Sequence, residues 1–176
     1  MHVLLRIATA IDALNRRIGR AVVWLILGAV LVSAATATLR YLLDWGSNSL
    51  IEIQWAMFGM VFLLGAAWTL QESGHVRIDL ISARLPERAR IAIDIAGGLL
   101  FLLPFSLLVA YDAWAYFLIA HGQNEASPNP GGLPWWPMKA VIPIAFALLA
   151  AQGVAEVIKG VAVLTGHRPP PPRPGH

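Results

Sequence analysis

Hydrophobic residues are grouped into four long stretches, at about residues 21–43, 50–71, 90–120 and 138–164. An α-helix rises about 1.5 Å per residue, so about 20 apolar residues cross the ~30 Å hydrocarbon core of a bilayer. A backbone in lipid must satisfy its own hydrogen bonds, and these stretches lack the alternating pattern of a barrel strand. The pattern therefore predicts an all-α membrane protein with four transmembrane helices.

Residues 1–20 have an amphipathic pattern. Their apolar residues recur every three or four positions and share one side of a helix: Leu4, Ile7, Ile11, Leu14 and Ile18. The other side carries Thr9 and the basic residues Arg6, Arg16 and Arg17. This pattern predicts a helix at the cytoplasmic membrane interface, although packing on neighbouring protein explains it equally well. The proline-rich residues 166–176 are predicted to be a disordered tail.

The cationic residues predict the orientation. Eleven of the thirteen Lys and Arg residues flank the first stretch on its N-terminal side, follow the second stretch, or lie near the C-terminus. Arg40 and Lys139 are the two on the opposite side. Since positive residues accumulate on the cytoplasmic side, both termini are predicted to be cytoplasmic.

Composition narrows the function classes. Hydrophobic residues make up 57% of the chain and charged residues 13%, which is unlike a soluble domain. The chain has no cysteine, so disulfide and thiolate chemistry is excluded. Its net charge of +3 comes without a nucleic-acid motif, and we expect no nucleic-acid partner.

Two carboxylates in the stretches, Glu52 and Asp112, are the candidate buried polar groups, because ionisable residues in lipid are costly and often functional. A structural role as a hydrogen-bonding group explains them too. The five histidines all lie in tails, loops or span ends, which argues against haem ligation. The sequence has no nucleophile–base set, so we do not expect an enzyme.

Tryptophans near the predicted span ends are candidate interfacial anchors: Trp45, Trp55, Trp135 and Trp136. Pro104 lies within the third stretch and is expected to kink it.

Several motifs resemble the small permease subunit of tripartite ATP-independent periplasmic (TRAP) transporters. They are SLIEIQWAMF at 49–58, FLLGAA at 62–67 and HVRID at 75–79. Further similar positions are 40–41, 125–127, 131–134, 136–139, 142–143 and 152–153. The resemblance extends from about residue 12 to residue 159.

The resemblance implies a subunit of the bacterial inner membrane without a cofactor of its own. In this family a periplasmic binding protein delivers an organic acid, and a large subunit carries the substrate and sodium sites. The small subunit packs beside the large one as a heterodimer within the lipid. The identity of the organic acid is not encoded in this subunit.

The resemblance also suggests candidate contacts. Glu125 and Ser127, in the outer loop, are candidates for touching the binding protein. Small residues that allow close helix packing are candidates for the large-subunit surface: Gly59, Gly65, Ala66, Gly97 and Gly98. Packing inside the four-helix bundle explains these small residues equally well.

Two other functions stay open from the residues alone. One is a membrane anchor for a haem or quinone enzyme. The other is a stand-alone exporter that works as a homo-oligomer and depends on Asp112 or Glu52.

Overall fold

The computed structural model describes residues 1–72 and 85–169. These ranges contain four long helices: α1 (His2–Leu43), α2 (Asn48–Gln71), α3 (Glu87–Gly122) and α4 (Trp136–Leu164). Each is long and apolar enough to cross a membrane. The predicted all-α class with four apolar helices is confirmed. The motif at 75–79 and most of the predicted tail lie outside the described residues.

Helix α4 is the centre of the bundle. It packs against α1, α2 and α3, and a third of its most apolar window is buried, against 11% for each other helix. Most of its buried residues are small, with Ala145, Ala150, Gly153, Ala155 and Ala162 among them. Small side chains let helix backbones approach closely, which matters in lipid because no hydrophobic effect drives helices together.

Helix α1 runs without a break through residue 20. Its 42 residues correspond to a length of about 63 Å, twice the hydrocarbon core. Ala8, Asn15 and Gly19 are buried on one side of its first half. Leu4 and Leu14, from the predicted apolar stripe, are about half exposed, so the described residues leave part of that stripe uncovered. The interfacial location of residues 1–20 stays a prediction.

Helix α3 contains an irregular turn before its proline. Residues Gly98–Leu102 form a π-helical turn between two α-helical parts, Glu87–Gly97 and Leu103–Gly122. Pro104 has no backbone N–H and its ring crowds the carbonyl four residues earlier, so a wider turn at that point relieves the conflict. The kink expected at Pro104 itself stays a prediction.

Glycine at position 19 permits the contact between α1 and α2. A Cβ atom there would lie 2.5–2.7 Å from ring carbons of Trp68. We expect Gly19→Ala to lower the free energy of unfolding by about 1–3 kcal/mol, because the indole must move. The measurement is thermal unfolding of the detergent-solubilised protein. Gly65→Ala is the matched control, since a Cβ on this α2 glycine meets open space; equal stability of the two variants would contradict the prediction.

Candidate functional site

Two groups of polar side chains lie at opposite ends of the bundle. The first, which we call the loop cluster, joins Glu52 to Ser127, Asn129 and Leu133. The second, the helix cluster, contains Asp12, Asn15, Gln152, Glu156 and Lys159. Three of the four buried polar side chains in the described residues belong to these clusters.

The loop cluster is built around the carboxylate of Glu52, in the first turns of α2 and only 2% exposed. The side-chain amide of Asn129 donates to Oε1 at 2.9 Å, and the backbone N–H of Leu133 donates to Oε2 at 2.8 Å. The Ser127 hydroxyl also donates to Oε1. Both carboxylate oxygens are therefore hydrogen-bonded, which offsets the cost of burying this charge.

The loop over Glu52, residues 123–135, is held together by backbone hydrogen bonds. Ser127 N–H donates to Leu133 O at 2.9 Å, and Trp135 N–H donates to Glu125 O at 2.9 Å. Helix α2 adds a contact, because the Asn48 amide donates to the Pro130 carbonyl at 3.0 Å. The loop therefore has a defined shape that is tied to the start of α2.

Glu125 faces inward. Its carboxylate forms an ion pair with Lys139 of α4, whose Nζ also lies 4.0 Å from the centre of the Tyr116 ring of α3. Ser127 is occupied with Glu52. The two residues predicted to touch a binding protein thus make internal contacts that shape the loop, while residues 128–131 are exposed at its tip. Contact with a binding protein stays a prediction.

An apolar groove of about 290 Å³ lies beneath the loop, between α2 and α4. Trp55, Gly59 and Leu63 line it from α2, and Met138 and Ile142 line it from α4. Glu52 and Lys139 also line it, and both are already engaged with the loop.

The helix cluster connects α1 to α4. The Gln152 amide donates to Asp12 and to Glu156, both at 2.8 Å, and its oxygen accepts from Asn15 at 2.8 Å. Lys159 Nζ lies 3.0 Å from Asp12 Oδ1 and 2.6 Å from Glu156 Oε1. The positive charge of Lys159 therefore lies between the negative charges of two carboxylates and offsets part of their repulsion. Sequence reasoning did not find this network, because Asp12 and Gln152 lie 140 positions apart and only the folded bundle brings them together.

The second candidate, Asp112, is exposed on α3 within the described residues, and its burial against a partner or in the membrane stays a prediction. Its position within an apolar stretch indicated depth along the helix but not the side of the helix on which it lies. Glu52, the first candidate, is buried as expected.

Among the predicted anchors, Trp45 and Trp55 are exposed and Trp135 is partly buried. Trp136 makes an edge-to-face contact with His121, with ring centres 4.9 Å apart. Their role as anchors at a lipid interface stays a prediction.

The small residues proposed for partner packing divide into two groups. A Cβ atom on Gly59, Gly65 or Gly97 would meet open space. A Cβ on Gly98 would lie 3.2 Å from Val157, so Gly98 serves the contact between α3 and α4. Ala66 is partly buried on α2.

Residues 29–163 match the family model of the DctQ component of tripartite ATP-independent periplasmic transporters. The matched range contains α2, α3, the loop cluster partners and nearly all of α4. No curated protein matches the chain.

Glycine at position 132 lets the loop close over Glu52. A Cβ there would lie 2.5 Å from Ser127 Oγ and 2.9 Å from Glu52 Oε1. We expect Gly132→Ala to displace the loop and to speed amide hydrogen exchange in residues 125–135 by about tenfold or more. Exchange measured by mass spectrometry tests this. Gly46→Ala, where a Cβ meets nothing within 4 Å, should leave the loop protected; equal exchange in both variants would refute the expectation.

Proposed function

Because the chain belongs to the DctQ component family of TRAP transporters, we propose that it supports the large permease subunit during sodium-driven uptake of an organic acid. The observation that carries this proposal is the family match over residues 29–163, which spans most of the chain. The four apolar helices agree with a multi-pass protein of the inner membrane.

The distribution of buried polar groups agrees with a subunit that supports the large permease subunit. Within residues 1–72 and 85–169, the buried polar side chain outside the two clusters is Ser106, which donates to the Leu102 carbonyl of its own helix at 2.7 Å. The clusters are separated by apolar packing, so the described bundle offers no continuous polar route from end to end. We therefore assign the substrate and sodium sites to the large subunit, and no reaction or cofactor to this one.

The large subunit is proposed to pack on the exposed face of α2. Phe58 and Phe62 are 53% and 79% exposed, and Gly65 follows at helical spacing with open space around it. Two protruding rings beside a glycine form the kind of surface into which another helix can pack. Gly59 and Ala66 lie on the same helix, and Gly97 offers a second open position on α3.

The alternatives suggested by the sequence gain little support. His2 begins α1 and His121 lies in the last turn of α3, so they lie at opposite faces of a bundle of four alternating spans. Asp112 is exposed and the Glu52 carboxylate is fully hydrogen-bonded, which disfavours either as the carrier group of an exporter.

We propose that both termini are cytoplasmic and that residues 123–135 face the periplasm. The cysteine-free chain allows a direct test with single introduced cysteines. A membrane-impermeant thiol reagent applied to intact spheroplasts should label Pro130→Cys, and should label Arg88→Cys after permeabilisation only. The reverse labelling pattern would reject this orientation.

Reconstitution tests the function itself. Vesicles should accumulate the organic acid only when both membrane subunits, the loaded binding protein and an inward sodium gradient are present. Uptake by this chain alone would contradict the proposal.

We further expect Gly65→Leu to reduce recovery of the large subunit on the affinity-tagged chain by about tenfold, because the new side chain fills the packing space. Gly46→Leu, outside the helices, is the control and should recover the wild-type amount.

A further inference from the structure

The carboxylate of Glu52 is the point at which a helix holds the outer loop. Three loop residues donate to it: Ser127 and Asn129 to Oε1, and the backbone N–H of Leu133 to Oε2. These donors come from both sides of the loop tip. One side chain on α2 therefore holds both arms of the loop, whereas each of the three loop residues donates one hydrogen bond to it.

Other contacts also hold the loop: backbone hydrogen bonds join its arms, and Asn48 and Ser49 of α2 donate to carbonyls at its tip. Its backbone is nevertheless irregular. Gly131 has a φ of 71°, and three prolines interrupt the backbone N–H donors between residues 126 and 134. The arms meet at one isolated bridge, between Ala126 and Pro134. Such a segment has a large choice of conformations when its anchoring hydrogen bonds are removed.

The tip carries a surface without formal charge. Residues 126–138 contain no Asp, Glu, Lys or Arg, and the neighbouring Glu125 is neutralised by Lys139. The exposed tip, residues 128–131, presents two proline rings and a glycine. The Asn129 amide donates to Glu52, and the Pro130 and Gly131 carbonyls accept from Asn48 and Ser49. A partner that recognises it by shape and hydrogen bonding needs the loop to be already in place, because charge attraction is not available to draw the two together.

We propose that Glu52 is a positioning residue, whose carboxylate holds residues 125–135 in the shape that the periplasmic binding protein contacts. The inference rests on the proposed function. Glu52 would not touch the binding protein, being 2% exposed beneath the loop. It would set the affinity of docking by fixing the fraction of molecules whose loop is ready to bind.

Glu52→Gln is the informative substitution because it keeps the size of the side chain. A glutamine can accept from Leu133 N–H only with its NH₂ group toward Ser127 and Asn129, whose hydroxyl and amide must then turn to accept. The negative charge that strengthens all three hydrogen bonds is lost as well, so the hold of residue 52 on the loop is weakened. If the docking shape falls to about a tenth of the population, the apparent affinity falls by about tenfold.

The experiment measures uptake in vesicles that contain both membrane subunits, titrated with substrate-loaded binding protein. We expect Glu52→Gln to raise the half-saturating concentration of binding protein by about tenfold, with an unchanged maximal rate. Glu72→Gln is the control: it removes an exposed carboxylate at the opposite end of α2 and should leave both values unchanged. Added salt should change the half-saturating concentration little, since the loop tip is uncharged.

An unchanged half-saturating concentration in Glu52→Gln, whatever the maximal rate, would overturn the inference. If that variant does not assemble with the large subunit, Gly132→Ala decides, because its Cβ would lie 2.9 Å from Glu52 Oε1 and displace the loop without removing a side chain of the exposed tip. A raised half-saturating concentration in Gly132→Ala supports the inference, and an unchanged one overturns it. Wild-type vesicles that ignore the binding protein would reject the proposed function as well, which separates the two failures.

Discussion

The hydrocarbon core of a bilayer cannot hydrogen-bond to a protein, and this constraint accounts for the arrangement of polar groups in the chain. Each polar side chain within a span must find its partner inside the protein or reach an aqueous boundary. The loop cluster satisfies Glu52 with donors from a loop that folds back over it. The helix cluster satisfies Asp12 with an amide and a lysine from α4. The two clusters thereby place these charges at the two ends of the apolar bundle.

The same constraint explains the composition of α4. Between the two clusters, contact with three neighbouring helices is made largely by alanine and glycine, so dispersion forces between close backbones hold the bundle. Large apolar side chains point outward, toward lipid or a partner, as Phe62 does. Unlike a soluble domain, the chain therefore carries its bulkiest apolar side chains on its surface.

The fold was largely predictable because bilayer thickness sets span length. The predicted second span, 50–71, differs from Asn48–Gln71 by two residues at its start. Glu52 was identified as a candidate because a charge in an apolar stretch is conspicuous. Its partners were not, because Asn129 lies 77 positions away and only the folded loop brings it near. The side of α3 on which Asp112 lies could not be predicted, because a lipid-exposed helix has little contrast between an apolar and a polar side.

The π-helical turn of α3 has a consequence for how two long helices stay in contact. After the turn, buried residues recur every seven positions: Ser106, Ala113 and Ala120. Extending that series backward leads to Leu99 and Ala92, which are exposed, whereas Ile91 and Gly98, one position earlier, face α4. The π-helical turn therefore takes up one additional residue. Across it, the positions that face α4 shift by one residue, which corresponds to a rotation of about 100° around the helix axis. A single-residue deletion within Gly98–Leu102 would restore a uniform helix and turn one half of α3 away from α4, so this segment tolerates substitution better than a change in length.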